Sequence, residues 1–397
     1  SNDKTFGIRA LIGNRQAFVS SSDIEEDKLN ESISKVVEMA KLAPEDDTAC
    51  LGDKSLFENN FEDLNLYQEK ETETKLLIDA VKECEEIALS TKGISNSEGA
   101  GASFSTGEFF LATSNGFRGG YKSSTNSISC SVLAGEGLSM ERDYDYDVTR
   151  HLEDLQKPTA IGRSAAEKAI QRLNPKKINS CKTSVVFDKR ISNDLLGYLA
   201  SAISGPAIAR ETSFLKDSLH KQIFSKEISI IDSPKIKKGL GSRPFDGEGI
   251  KTSEKELVSN GKLNMWILNT STAKKLNLKT TGHASRSVGS PPGVGTSNLY
   301  MANGINSFDD MIKSIKSGFY ATELIGMGVN LITGDYSMGA SGLWIENGEI
   351  AYPVNEITIA SNLKEMFLNL SAANDLEFKY RTNAPTLRVD GMTLAGK

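Results

Sequence analysis

His151, His220 and His283 are the first places to look for chemistry in this 397-residue chain, and they are its only histidines. They lie too far apart in sequence for a local metal motif, and no His-Glu-x-x-His helix occurs. His151 follows Asp143-Tyr144-Asp145-Tyr146-Asp147, an alternation that suits a strand with one wet face better than a carboxylate cluster. His220 sits in the charged run Lys216-Asp217-Ser218-Leu219-His220-Lys221, expected at the surface. His283 lies in Thr280-Thr281-Gly282-His283-Ala284-Ser285-Arg286, ahead of a long glycine-rich loop stiffened by Pro291 and Pro292. A nucleophile scheme would pair His283 with Ser285 or Cys181 and a carboxylate, a geometry that proximity in sequence does not supply. The loop is no phosphate cradle, since no Gly-Lys-Ser/Thr follows its glycines. Two further segments gather polar groups on turns. Gly241 to Gly249 carries Arg243, Asp246 and Glu248, and Gly334 to Gly342 sets Asp335 among small residues that admit a ligand backbone or a bulged strand.

The elements that must position these residues are a mixture of strands and helices. Phe6, Ile8, Ala10 and Ile12 alternate before Gly13-Asn14, and Ala17 and Val19 resume the alternation, which predicts a hairpin. Asp23-Ile-Glu-Glu resembles a capping box and opens a helix through Leu29, Ile33, Val36, Val37 and Ala40. A second helix places Leu76, Leu77, Ala80, Val81, Cys84, Ile87 and Ala88 on one face. Gly99 to Gly135 reads as β structure turning at Asn115-Gly116, with Cys130 interior, and Ala165 to Leu173 as a helix ended by Asn174-Pro175. Beyond that point strands dominate: Ser184 to Phe187, Ile228 to Ile231, Leu263 to Leu268, Gly328 to Thr333, Gly342 to Ile345 and Thr386 to Val389. Hairpin turns are expected at Asn260-Gly261, Asn347-Gly348 and Asp390-Gly391. Helices are expected at Asp194 to Ser204, from Ser307 to Ser317, and from Asn362. The fold class is α+β in two domains, 1–178 and a β-rich 179–397, with mainly antiparallel sheets.

Composition narrows the function. Lys plus Arg is 46 against 52 for Asp plus Glu, a net charge of −6 that disfavours general nucleic-acid binding. The longest weakly polar run, Leu195 to Ala209, contains Gly205 and Pro206 and falls short of the roughly 20 residues of a membrane span. Cys50, Cys84, Cys130 and Cys181 are widely spaced, so neither a disulfide scaffold nor a CxxC site is expected, and a reducing cytoplasm fits. No signal peptide is expected from the first residues.

Five ordered segments carry a resemblance. Phe6-Gly7-Ile8-Arg9-Ala10, Met140-Glu141-Arg142-Asp143-Tyr144-Asp145-Tyr146, Pro244-Phe245-Asp246-Gly247-Glu248-Gly249, Thr281-Gly282-His283-Ala284 and Ile332-Thr333-Gly334-Asp335-Tyr336-Ser337 resemble the TldD/PmbA proteins, in particular the PmbA (TldE) branch. The older label of that family is modulator of DNA gyrase. The resemblance implies a subunit of a heterodimeric zinc metalloprotease that cleaves unfolded peptides, including a microcin leader and a labile antitoxin. It also implies an amino-terminal domain incomplete at its start.

In that family the TldD subunit carries zinc on a His-Glu-x-x-x-His helix and a cysteine near the carboxyl end, with the glutamate as general base. The positions matching His, Glu and His are Gly197, Tyr198 and Ala202 here, and no cysteine follows Cys181. The resemblance thus implies a metal-free, non-catalytic pseudo-protease subunit, with zinc expected only in a TldD-like partner. The Asp194 to Ser204 helix then reads as packing, with Leu195, Leu196, Leu199, Ala202 and Ile203 inward. Extended-peptide capture by strand addition suits such a subunit, and Gly334 to Gly342 and the His283 to Gly295 loop are the expected lining. Arg243, Asp246, Glu248, His283, Arg286 and Asp335 are the candidate peptide-lining residues. Expected partners are a TldD-like subunit, unfolded peptides and, for the isolated chain, a second copy; membrane and direct nucleic-acid contact are not expected. The alternative is a stand-alone homo-oligomeric peptide-binding or scaffold protein, and a Cys or Ser hydrolase is a third reading.

Overall fold

The computed structural model describes residues 2–397. At its start the hairpin Phe6–Ile12 and Arg15–Ser21 packs Ile8, Ala10, Ala17 and Val19 against Val36, Val37 and Ala40 of the helix Glu26–Leu42. Asp23 does not cap that helix. Its Oδ1 accepts from the Glu25 amide two residues on, and the helix begins after Glu25 with no side-chain cap. Aspartate closes such a local turn as readily as it caps.

The middle of the chain is an antiparallel sheet of three strands, Ile94–Ala112, Arg118–Ala134 and Glu141–Thr149, in that order. Two helices, Thr74–Ser90 and Pro158–Gln171, cover one face, and Cys84, Ala88, Ile128, Cys130, Val132, Ile161, Ala165 and Ala169 form its core. Both cysteines are interior, as their apolar neighbours in sequence imply. The helices touch where a Cβ on Gly162 would stand 2.1 Å from the Cys84 carbonyl oxygen.

The remaining chain builds a larger core around two sheets. In one, Glu349–Asn362, Asp335–Glu346, Ser317–Ile325, Cys181–Phe187 and Leu387–Ala395 follow one another, and pairing of Thr358–Ala360 with Thr393–Ala395 closes them into a ring. Only Ser317–Ile325 and Cys181–Phe187 run parallel there. Leu195, Leu196, Leu199, Ala202 and Ile203 are buried in this core, so the helix Asn193–Ala202 packs as its sequence implies. The second sheet centres on Ile230–Asp232, flanked by Lys255–Ser259 and Leu299–Met301.

Several local expectations give way. Gly328 to Thr333 is not a strand: Asn330 Oδ1 accepts from the Ile332 amide, its carbonyl accepts from Gly334, and the chain turns before Asp335. Asp390-Gly391 is a bulge inside Leu387–Ala395 rather than a hairpin, using glycine's freedom at φ +79°. The helix capped by Ser307 stops at Lys313, and Ser317 already belongs to a strand.

The Asp-Tyr alternation is a strand, but its acidic face is the buried one. Asp143 meets Arg190 at 2.8 Å and Arg172 at 3.4 Å, while Asp145 meets Lys168 at 3.0 Å and Lys379 at 3.5 Å. Arg172 also reaches Glu323 at 2.6 Å. Cations from both halves of the chain make burial of these carboxylates tolerable, and the pairs form the seam between the middle sheet and the closed ring. From the Gly162 contact, Gly162→Ala is expected to cost about 2 kcal/mol of stability, as overpacked cores do, read as a lower urea midpoint with unchanged slope.

Candidate functional site

Five of the six candidate polar residues converge. Pro244 to Lys251 is a tight turn held by Asp246, whose Oδ1 accepts from the Glu248 and Ile250 amides, each at 2.9 Å. Its Oδ2 accepts from the Ala284 amide at 3.1 Å, and the Gly247 amide donates to the Ala284 carbonyl at 2.8 Å. The turn is anchored by Phe245, which sits among Phe57, Phe61, Phe109, Phe117 and Tyr121 at the tip of the long middle hairpin. Gly249 has φ +82°, and a Cβ there would stand 2.4 Å from the Phe117 ring, so only glycine fits.

Arg243, buried, spans the next layer: Nη1 donates to the Ala284 carbonyl at 2.9 Å and Nη2 to the Gly295 carbonyl at 3.0 Å. These bonds clamp the base of the His283 to Gly295 loop, whose Ala284–Ser285 and Gly293–Val294 segments pair. The loop also meets the amino-terminal hairpin, although Ser287, Val288 and Gly289 stay exposed. A Cβ on Gly7 would lie 1.8 Å from the Val288 carbonyl oxygen, so the amino-terminal hairpin rests on it.

His283 is fully buried, with Nε2 facing Asp232 Oδ2 at 3.2 Å and Nδ1 facing Thr281 Oγ1 at 2.8 Å. Asp232 also accepts from the Ser297 amide at 2.7 Å and the Ser297 hydroxyl at 2.9 Å. Burial raises the Asp232 carboxyl, but bonding and attraction from His283, with the Ser297 bonds, bring it below its ordinary value. Neither Ser285 nor Cys181 is a hydrogen-bond partner of His283 among the described residues, so the geometry of a nucleophile scheme is not there.

Glu248 points the other way. Its Oε2 accepts from the Thr270 amide at 2.9 Å and the Thr270 hydroxyl at 2.6 Å, at the start of the helix Thr270–Lys275. Burial pushes its carboxyl up, the Thr270 hydroxyl pulls it down, and repulsion from Asp246 raises it further, for a net rise. Arg286 and Arg9 bear on the same carboxylate, and burial lowers the pKa of both guanidinium groups. Arg9 is held by Gln16, which donates to Asp46 at 2.6 Å, so the first hairpin is wired into this cluster.

Asp335 is not part of it. It is exposed at the start of its strand, accepts from Thr333 Oγ1 at 2.6 Å and Asn362 Nδ2 at 3.1 Å, and shares no partner with the other five. The strand Asp335–Glu346 is paired on both sides, which removes Gly334 to Gly342 as an open edge for strand addition. His220 is exposed, and His151 Nε2 contacts the Asn65 carbonyl at 2.9 Å. Sequence reasoning missed Asp232, Ser297 and Thr270. Only Asp232 left a trace, as an acid directly after the apolar run Ile228 to Ile231.

On the helix Asn193–Ala202, a Cβ at Gly197 would meet nothing within 4 Å, Tyr198 packs edge-on against Tyr336 at 6.2 Å, and Ala202 is buried. Among the described residues no group of three or more His, Cys, Asp or Glu side chains is placed to hold a metal ion. The residues at these positions do not fit a zinc ion. No helix among the described residues is long and apolar enough to cross a membrane.

Family models for the PmbA/TldA metallopeptidase C-terminal domain, central domain and domain 1 match residues 180–396, 67–173 and 1–43. The chain belongs to the PmbA/TldA metallopeptidase family. It is 37% identical to "Metalloprotease PmbA" of Escherichia coli O157:H7 over 399 aligned residues, 100% of this chain and 87% of that protein. A "Metalloprotease PmbA homolog" of Haemophilus influenzae is 35% identical over 100% of this chain and 86% of its own length. Among solved structures, a putative modulator of DNA gyrase from Bacteroides thetaiotaomicron superposes with TM-score 0.88 at 28% identity, covering 99% of this chain and 92% of that one. TldE from Thermococcus kodakarensis shares the fold at TM-score 0.85 and 22% identity, over 98% and 89% of the two chains.

Two outcomes test the electrostatics. Asp232→Ala is expected to cost about 2 kcal/mol by leaving the buried His283 Nε2 and the Ser297 amide and hydroxyl without their acceptor, measured by urea unfolding at pH 7. The Asp232 carboxyl is depressed, so its contribution is present above its ordinary 3.8 and is lost as the pH falls through the lower folded value. Glu248 has the opposite sign: its raised carboxyl holds its proton longer in the folded state, so stability falls as pH rises above 4.5 through the folded value. Glu248→Gln keeps an acceptor for Thr270 and is expected to unfold at a higher urea midpoint than wild type at pH 8, the difference vanishing at pH 4 and below.

Proposed function

We propose that this chain is the metal-free, non-catalytic subunit of a heterodimeric zinc peptidase acting on unfolded peptides, including leader removal and antitoxin degradation. The observation that carries the reading is the helix Asn193–Ala202, where Gly197, Tyr198 and Ala202 stand at the places of the family's His, Glu and His. A glycine and an alanine donate nothing to a metal, and Tyr198 packs its ring on Tyr336. A catalytic zinc site uses three protein ligands and an open position for water, and this helix cannot contribute to one.

The buried charges support the same reading. Asp246, Glu248, Arg243 and His283 bond to main-chain groups and to Asp232, Thr281 and Thr270, with only Arg243 Nε among their buried nitrogens left without a partner. Such a cluster fixes the shape of a wall. A cytoplasmic location and zinc only in a homologous partner complete the proposal.

The test is peptide cleavage measured for the chain alone, for a zinc-bearing homologous subunit alone, and for the mixture, with metal content determined in each. Cleavage in the mixture only, abolished by chelation, with no stoichiometric zinc in this chain, is the expected result. Cleavage and one equivalent of zinc in the lone chain would overturn it.

A further inference from the structure

A cavity of 240 Å³ opens in the seam between the middle sheet and the closed ring. Among the described residues four cations, Lys168, Lys189, Arg190 and Lys379, line it against two carboxylates, Asp145 and Glu377. The whole chain carries a net charge of −6, so this positive surplus is local.

Three of the four cations have partners of their own. Arg190 donates from Nη1 to Asp143 at 2.8 Å and from Nη2 to the Thr322 carbonyl at 3.2 Å. Lys168 meets Asp145 Oδ2 at 3.0 Å, and Lys189 pairs with Glu377. Lys379 is served worse. Its side chain is only 19% exposed, and its nearest charge is Asp145 Oδ1 at 3.5 Å, an oxygen that already accepts from the Tyr146 amide at 2.8 Å. The rings of Tyr146 and Tyr380, centred 5.6 and 6.0 Å from Nζ, attract an ammonium but carry no charge to cancel it. Burial also lowers the Lys168 ammonium below its ordinary value even with Asp145 beside it, the sign of too little negative charge nearby. A mostly buried ammonium without its own counter-charge is costly, and an anion in the cavity would remove that cost.

We propose that this cavity binds a phosphate group, free or as the terminal group of a small metabolite, among the ammonium groups of Lys379, Lys168 and Lys189. The guanidinium fork that would favour a planar carboxylate, that of Arg190, is taken up by Asp143 and Thr322. What remains are compact charges with rotatable donors, which suit the oxygens of a tetrahedral anion approached from several sides. Lys168 and Lys379 reach the same carboxylate, so they stand within its span of each other. Lys189 and Glu377 are an exposed pair, weakly held, and a dianion competes for that lysine. The volume is below that of a pocket for a drug-sized molecule, which limits the ligand to a small one. Lys168 belongs to the helix Pro158–Gln171, Lys189 follows the strand Cys181–Phe187, and Lys379 precedes the strand Leu387–Ala395, so the ligand would tie the two sides of the seam together. The site is independent of the peptidase reading above.

The experiment is isothermal titration calorimetry at constant ionic strength with inorganic phosphate, methyl phosphate and acetate, each up to tens of millimolar, on wild type, Lys379→Gln and Lys189→Gln, with thermal melts on each. Wild type is expected to bind a phosphate saturably and to melt higher in its presence, as a ligand specific to the folded state requires. Tighter binding of methyl phosphate identifies the terminal group of a metabolite, and tighter binding of inorganic phosphate identifies the free ion. Both variants are expected to bind at least tenfold more weakly. Should Lys379→Gln fail to fold, Lys189→Gln, at an exposed side chain, decides. A wild type that binds neither phosphate, an equal response to acetate, or wild-type affinity in either folded variant overturns the proposal.

Discussion

One carboxylate in three hands organises the middle of this molecule. Asp246 gives its two oxygens to the amides of Glu248, Ile250 and Ala284, fixing the Pro244 to Lys251 turn and joining it to the strand that follows His283. Burial penalises its charge and leaves the carboxyl raised, despite the bonds from Glu248 and Ile250 that pull it down. A buried carboxylate is tolerable only with such a full complement of donors. Everything around it is consistent with that demand: Phe245 beside it is locked among aromatic rings, Gly249 lies beneath Phe117, and Arg243 clamps the adjoining loop by two carbonyls.

The same economy recurs at the seam. Asp143 and Asp145 face inward because Arg172, Arg190, Lys168 and Lys379 meet them from both sides, so the position of the middle sheet on the closed ring is set by charge pairing as well as packing. Buried pairs of this kind add little net stability compared with apolar packing, but they reject misaligned arrangements that would strand a charge. The family to which the chain belongs is known by a metalloprotease name, yet here the charged residues hold backbone in place. This distinction separates a fold from the chemistry it hosts.

Periodicity made the helices and the first hairpin legible, because a one-sided apolar stripe or alternation has few other uses. Val36 and Ala40, Cys84 and Ala88, and Leu195, Leu196, Leu199, Ala202 and Ile203 are buried where their spacing put them. What the sequence concealed was long-range. The alternation from Asp143 to Asp147 names a strand but not which face is wet, since that depends on Lys168, Arg172, Arg190 and Lys379, all far along the chain. Asp390-Gly391 has turn chemistry, and a bulge uses the same backbone freedom. Arg243, Asp246, Glu248, His283 and Arg286 were identifiable as polar residues on turns, and their convergence was not, because Asp232, Ser297 and Thr270 lie on segments without any motif. Asp335, chosen on the same grounds, lies outside the cluster.

The central claim is that Asp246 is a structural staple, and amide hydrogen exchange reads it most directly. The amides of Glu248, Ile250 and Ala284 should exchange only through global unfolding in the wild-type chain, at the rate of the slowest core strands. In Asp246→Ala all three should become fast together while Val185 and Val186 stay protected. Rapid exchange of these amides in the wild type, with the core still closed, would contradict the account.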